Sequence, residues 1–166
     1  MEATAPVSLI RPDIAVQATP DYVDGDAIGP KITLANFARY SGGSGVISRL
    51  QLRAKNSGGI VVQSFLHIFD SDPSATTVTD NGALTIAAGD HAKILKTIPI
   101  AAADWAAPKG ASPWYTCEAI GRYGLMEYLE YKLPSGRDLV LIWEADGTIN
   151  FGAPDDAAMV IAQFPS

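Results

Sequence analysis

The chain is poor in the residue types on which most protein chemistry depends. It has a single cysteine, Cys117, and two histidines, His67 and His91, in 166 residues. One cysteine excludes an intrachain disulfide, and its setting in the β-like run WYTCEAIG marks it as a small buried hydrophobe. No spacing of His, Cys and carboxylates matches a zinc site, and no His-Glu-x-x-His run occurs. Charge is also scarce: Asp, Glu, Lys and Arg make up 18% of the chain, below the roughly 25% of an ordinary soluble domain. The twelve basic residues are scattered, and the net charge is −6. A nucleic-acid partner is therefore not expected, because it calls for a basic stripe. No apolar run approaches the roughly 20 residues of a membrane-crossing helix, so no membrane association is expected. MEATAPVSLIRPD lacks the basic and apolar regions of a secretory signal. The expected site of synthesis is the cytoplasm.

What the chain has is apolar surface in short, punctuated runs. Hydrophobic residues reach 48%, and with no membrane segment they must fill a core or meet partners. Residues 1–13, with Pro6 and Pro12, read as an extended arm; Val7, Leu9 and Ile10 suit docking better than solvation. Residues 14–166 read as one all-β domain. IAVQA (14–18) and KITLANFARY (31–40) are expected strands, the second ending at SGGSG (41–45). VISRLQLRAK (46–55) alternates, with Leu50 and Leu52 opposed to Arg49, Gln51 and Arg53, which marks a strand with one wet face. Asn56-Ser57-Gly58-Gly59 reads as a hairpin turn into IVVQSFLHIFD (60–70). That strand is apolar on both faces: Ile60, Val62, Leu66 and Ile68 on one, Val61, Phe65 and Phe69 on the other, with His67 packed or hydrogen-bonded beside them. The run 138–145 repeats the pattern, with Val140 and Ile142 opposed to Leu139, Leu141 and Trp143.

DSDPSATTVTDNG (70–82) reads as a long polar loop, followed by a short helical turn near 88–93 and a strand whose Pro99 marks an edge or a bulge. WYTCEAIG (114–121), DLVLIWEAD (138–146) and AAMVIAQF (157–164) read as strands. LMEYLEYKL (125–133) suits helix and strand alike. Short strands at this spacing, with long crossover loops, predict a β-sandwich or barrel of Greek-key or jelly-roll type. The close carboxylate pairs Asp24/Asp26 and Asp70/Asp72 read as turn stabilisers, since the twelve-residue calcium loop is absent. SGGSG joins strand to strand, so it is neither a nucleophile elbow nor a phosphate loop. No catalytic, cofactor or metal residue is assigned. The expected contact residues are Val7, Leu9, Ile10, Val61, Phe65, Phe69, Val140 and Ile142. Trp105, Trp114 and Trp143, with nearby tyrosines, fit either a sugar-stacking platform or buried packing.

Two segments carry a resemblance: Gly-Asp-Ala-Ile-Gly (25–29) with Leu34 to Phe37 and Ser-Gly-Gly-Ser-Gly-Val-Ile (41–47), then Phe69 to Asn81 with its Phe-Asp-x-x-Pro-x-x-Thr pattern. Together they resemble small virion proteins of tailed bacteriophages, of the capsid cement or decoration type. Residues 100–166 carry little of the pattern. The resemblance implies a jelly-roll-type β-sandwich with an extended N-terminal arm. It also implies a non-enzymatic role on the outer surface of the virion, with the major capsid protein and further copies of the chain, as homodimer or homotrimer, as partners. The alternatives are a carbohydrate-binding virion surface module and a tail or connector component.

Overall fold

The computed structural model describes residues 8–12, 14–55, 63–106, 114–121 and 124–165. Nine strands form two antiparallel sheets: β1 (Ser8–Ile10), β2 (Ile32–Leu34), β3 (Ser44–Lys55), β4 (Ser64–Phe69), β5 (Ile94–Ile100), β6 (Trp114–Ile120), β7 (Leu129–Lys132), β8 (Leu139–Ala145) and β9 (Ala157–Pro165). The five-stranded sheet runs β1-β9-β3-β6, with β7 also on β3, and the four-stranded sheet runs β2-β8-β4-β5. Six of the eight steps between consecutive strands change sheet. The protein is an all-β sandwich.

β3 is the spine of the larger sheet. It pairs with β9 along its length, with β7 over Ser44–Ile47 and with β6 over Leu50–Lys55. A bulge between Ile47 and Arg49 inserts one residue opposite β9. It resets the two-residue alternation, so that Ile47 and then Leu50, Leu52 and Ala54 are all buried. These side chains and Ile161 meet Leu66, Ile68, Leu141 and Trp143 of the other sheet in one core. Tyr22 and Phe151 close it, with Phe151 edge-on to both Tyr22 and Trp143.

Four expectations need correction. The 46–55 and 60–69 runs are not a hairpin: β3 and β4 lie in different sheets, since β3 already has a strand on each side. The proposed turn at 56–59 lies outside the described residues. IAVQA buries Ile14 and Val16 without joining a ladder; Val16 N–H instead donates to Pro154 O. KITLANFARY is strand only over Ile32–Leu34, because Asn36 takes a φ of +54° and its N–H donates to Asp138. The N-terminal segment is not wholly a free arm either. Residues 8–10 pair with 161–163 of β9, and Ile10 packs against the core. The ambiguous 125–133 run resolves as strand β7, with Leu129, Tyr131 and Leu133 inward and Glu130 and Lys132 exposed. The expected helical turn is a 3-10 turn over Ala88–Lys93, and Pro99 lies on β5, at the edge of its sheet.

Candidate functional site

The two sheets treat their outer faces differently. On the four-stranded sheet, Phe69, Val140 and Ile142 form a second apolar cluster under Val78, Leu84, Ile86 and Ile94. The cover is the chain's own 70–94 connection. It is pinned at both ends: Asp70 N–H donates to Lys93 O, and Lys93 Nζ donates to Asp72 O at 2.7 Å. Lys93 also pairs with the buried Asp90 at 2.7 Å, and Thr76 Oγ1 donates to the other Asp90 oxygen at 2.8 Å. The Lys93 ammonium, helped by the Thr76 hydroxyl and opposed by burial, holds the Asp90 carboxyl below the usual range. Phe69, Val140 and Ile142 were expected to meet another subunit. They are instead covered within the chain, because the connection read as a polar loop brings its own apolar side chains, Val78, Leu84 and Ile86.

The residues that carry the resemblance build a clasp. Asp80 Oδ1 accepts from the Tyr22 hydroxyl at 2.6 Å and from Gly29 N–H at 2.8 Å. Asn81, at a φ of +55°, donates from Nδ2 to Pro20 O, while its N–H reaches Ala27 O. Asp26 caps Val23 N–H, and the Gly25 and Ile28 N–H groups donate to β8. Burial, and then the Asp80 hydrogen bond, push the Tyr22 hydroxyl pKa well above its ordinary value. Together these bonds lock residues 20–29 onto 80–84.

At the uncovered end of the same sheet, His67 Nε2 lies 2.6 Å from Glu144 Oε2 and Nδ1 lies 2.9 Å from Thr97 Oγ1. His67 stands opposite Thr97 on β5, while Phe65 stands opposite Glu144 on β8 and stacks on the imidazole. Both ring nitrogens are occupied, so the trio is a rung across three strands. Among the described residues no group of three or more His, Cys, Asp or Glu gathers to hold a metal. A cleft of about 440 Å³ lies along β6 between Asp104–Ala106 and Leu125, with Thr116 and Glu118 at its base. Glu118 is engaged there by Arg49 at 2.7 Å and Gln51 at 3.1 Å. Behind it Cys117 is buried, and burial, with Asp104 and Glu118 nearby, pushes its thiol up to about 12, which removes it as a nucleophile at neutral pH. Trp143 is in the core, and Trp105 and Trp114 are half-buried.

The outer face of the five-stranded sheet is only partly open: Arg49, Arg53 and Phe164 are exposed, whereas Gln51 and Val160 on the same face are buried. Ile161 and Ile10 point inward, so their neighbours Ala162 and Leu9 point out. Leu9 is 55% exposed and Phe164 is 39% exposed. Val46 stands opposite Phe164, and along β9 Ala158 and Ala162 are half-buried on this face while Val160 is buried. Arg49 and Arg53 stand beside them on β3. Of the expected contact residues, Leu9 is on this face, and Ile10 is half-buried against the core beneath it. Phe65 is half-buried on the other sheet. Val7 and Val61 lie outside the described residues. The expected set is thus not brought together. Phe164, Val46 and the arginines were missed, although the alternation of AAMVIAQF already sorts Ala158, Val160, Ala162 and Phe164 onto one face. No helix among the described residues is long and apolar enough to cross a membrane. Comparison with family models, with curated proteins and with solved structures finds no match to this chain.

Proposed function

We propose that this chain is a structural decoration protein of a tailed-phage capsid, bound to the outside of the shell and stabilising contacts between major capsid subunits. The observation that carries the reading is the contrast between the two outer faces. One is roofed by the chain itself, and the other leaves Leu9 and Phe164 exposed among the described residues, apolar side chains placed for protein contact. The strand orders also support it. With β6 and β7 counted as one edge of β3, β1-β9-β3-β6 over β2-β8-β4-β5 fits the double Greek key of a jelly roll. Among the residues behind the resemblance, Asp80 and Asn81 are spent on architecture, tying the 80–84 segment to Tyr22, Gly29 and Pro20. Repetition around a closed shell makes a modest contact energy large in sum.

The test is removal from the parent phage. Particles without the protein assemble but release DNA at a lower temperature in a dye-accessibility melt, and added purified protein restores them. A cryo-EM map places it on the head exterior. Particles as robust as wild type, with the protein found on the tail, refute the proposal and favour a tail component.

A further inference from the structure

The outer face of the five-stranded sheet is flanked by positive charge on a chain that is otherwise acidic. The strands of the larger sheet contain Arg49, Arg53, Lys55 and Lys132 against Glu118 and Glu130, four positive to two negative, within a net charge of −6. Some of this charge is already matched. Arg49 pairs with Glu118 at 2.7 Å, and Lys55 pairs with the buried Asp156 at 2.9 Å. Arg53 is not matched. It is exposed, donates from Nε to Gln51, and has no ion-pair partner among the described residues. Arg11 is exposed and likewise unpaired among them. Ser8, Leu9 and Ile10 face Gln163, Ala162 and Ile161, so the register carries Arg11 on toward Val160, while Arg53 stands opposite Ala158. Two guanidiniums without an ion-pair partner among the described residues thus border β9 from opposite sides, beside the half-buried Ala158 and Ala162 and the exposed Phe164, with Val160 between them already buried.

We propose that this face docks a protein surface that is apolar at its centre and presents carboxylates at its margin, the carboxylates seating on Arg11 and Arg53. Resting on the decoration role, the inference makes that surface part of the capsid exterior. The exposed apolar side chains supply the burial, and the guanidiniums supply register, because their planar forks match carboxylates with two parallel hydrogen bonds. The charge pattern weighs against other occupants. A two-fold pair centred on this face brings the basic margin of one copy, Arg11 and Arg53, onto the same margin of the other, like charge near like. A nucleic acid gains little from apolar side chains, and the net charge of −6 repels it.

The test uses the full chain and parent particles stripped of it, with binding read by co-sedimentation across a salt series. Wild type is expected to bind, and more weakly as salt rises. Arg11→Glu with Arg53→Glu is expected to weaken binding at least tenfold and to flatten the salt dependence. Phe164→Ser is expected to weaken it to a similar extent, while Lys96→Glu, an exposed charge reversal on the other sheet, leaves it within twofold. Unchanged melting temperatures establish that the variants are folded; should Phe164→Ser fail to fold, the two exposed arginines decide alone. If wild type binds and the double arginine variant binds equally well, the docking face is wrong and the decoration role stands. If Lys96→Glu loses as much as the double variant, the effect is general charge and the face is again wrong. If wild type does not bind the particles, both readings fall. If the double variant instead turns a wild-type dimer into monomer in sedimentation velocity, or abolishes binding to DNA, the occupant is a second copy or a nucleic acid and the proposal is overturned.

Discussion

Replacing Ile142 with alanine tests whether the second apolar cluster belongs to the folded subunit or to a contact between subunits. Ile142 is fully buried beside Phe69 and Val140, under the 70–94 connection. The change deletes three carbons, which at roughly 0.8 kcal/mol each is about 2.4 kcal/mol of lost burial. The cavity left behind raises this into the range of about 2–5 kcal/mol. For a domain of 166 residues a loss of about 3 kcal/mol lowers the melting temperature by roughly 6–12 °C. The assay is urea unfolding at two protein concentrations a hundredfold apart. Intrachain cover predicts the full loss at both concentrations, with superimposable curves. Phe65→Ala, at a half-buried position on the neighbouring strand β4, is expected to cost less. A loss under about 1 kcal/mol for Ile142→Ala, or a midpoint that moves with concentration in wild type but not in the variant, would falsify the intrachain roof.

Three further outcomes follow from the described geometry. Asp90 has a lowered pKa, so the stability it contributes is present above the ordinary value near 4 and is lost as pH falls through the lowered folded value. Asp90→Asn should therefore melt lower than wild type at neutral pH and show a shallower fall below about pH 4; parallel curves would contradict the Lys93 pairing. Alanine at Gly42, Gly43 and Gly45 is expected to destabilise at all three positions, for different reasons. Gly42 has a φ of +70°, worth about 1–2 kcal/mol. At Gly43 a Cβ comes 2.8 Å from Tyr40 O, and at Gly45 it comes 2.6 Å from the Tyr131 hydroxyl, an overpacking worth roughly 1–3 kcal/mol. A thermally neutral Gly45→Ala would show that the β3–β7 approach is looser than described. Cys117 should resist a soluble thiol reagent in the native state at neutral pH and label at the rate of global unfolding; prompt labelling would place it at the surface.

The strands written in residue alternation were legible in the sequence. VISRLQLRAK, SFLHIF, LVLIWEA and AAMVIAQF all became strands, and the wet face expected of VISRLQLRAK is the one that carries Arg49 and Arg53, since period-2 alternation is a local property. Pairing was not legible. Asn-Ser-Gly-Gly between two apolar runs looks like a hairpin, yet whether β4 pairs with β3 depends on β6, β7 and β9 having claimed both edges of β3, which no local window contains. The roof was hidden for a related reason. Val78, Leu84 and Ile86 are dispersed among polar residues, and only the fold aligns them over Phe69 and Ile142. Asp80 and Asn81 read as part of a polar loop, and their long-range bonds to Tyr22, Gly29 and Pro20 cross more than fifty residues of sequence. On the candidate face, Leu9 was found from its apolar character in a polar arm, whereas Phe164 was taken as one more strand residue because alternation alone does not say which face lies open.

The central place of β3 has a consequence for how the chain is made. Its longest partnership is with β9, and the Ser48 hydroxyl finds its acceptor at Ala162, 114 residues downstream. A ribosome releases β3 long before β9 exists. Over that interval the strand presents an unpaired backbone edge and the row Ile47, Leu50, Leu52 with nothing to close on. β6 and β7 can take one edge of β3 earlier, but the β9 edge cannot close until that strand arrives, so complete pairing of the larger sheet is a late event, slow in the way non-local β pairing is slow.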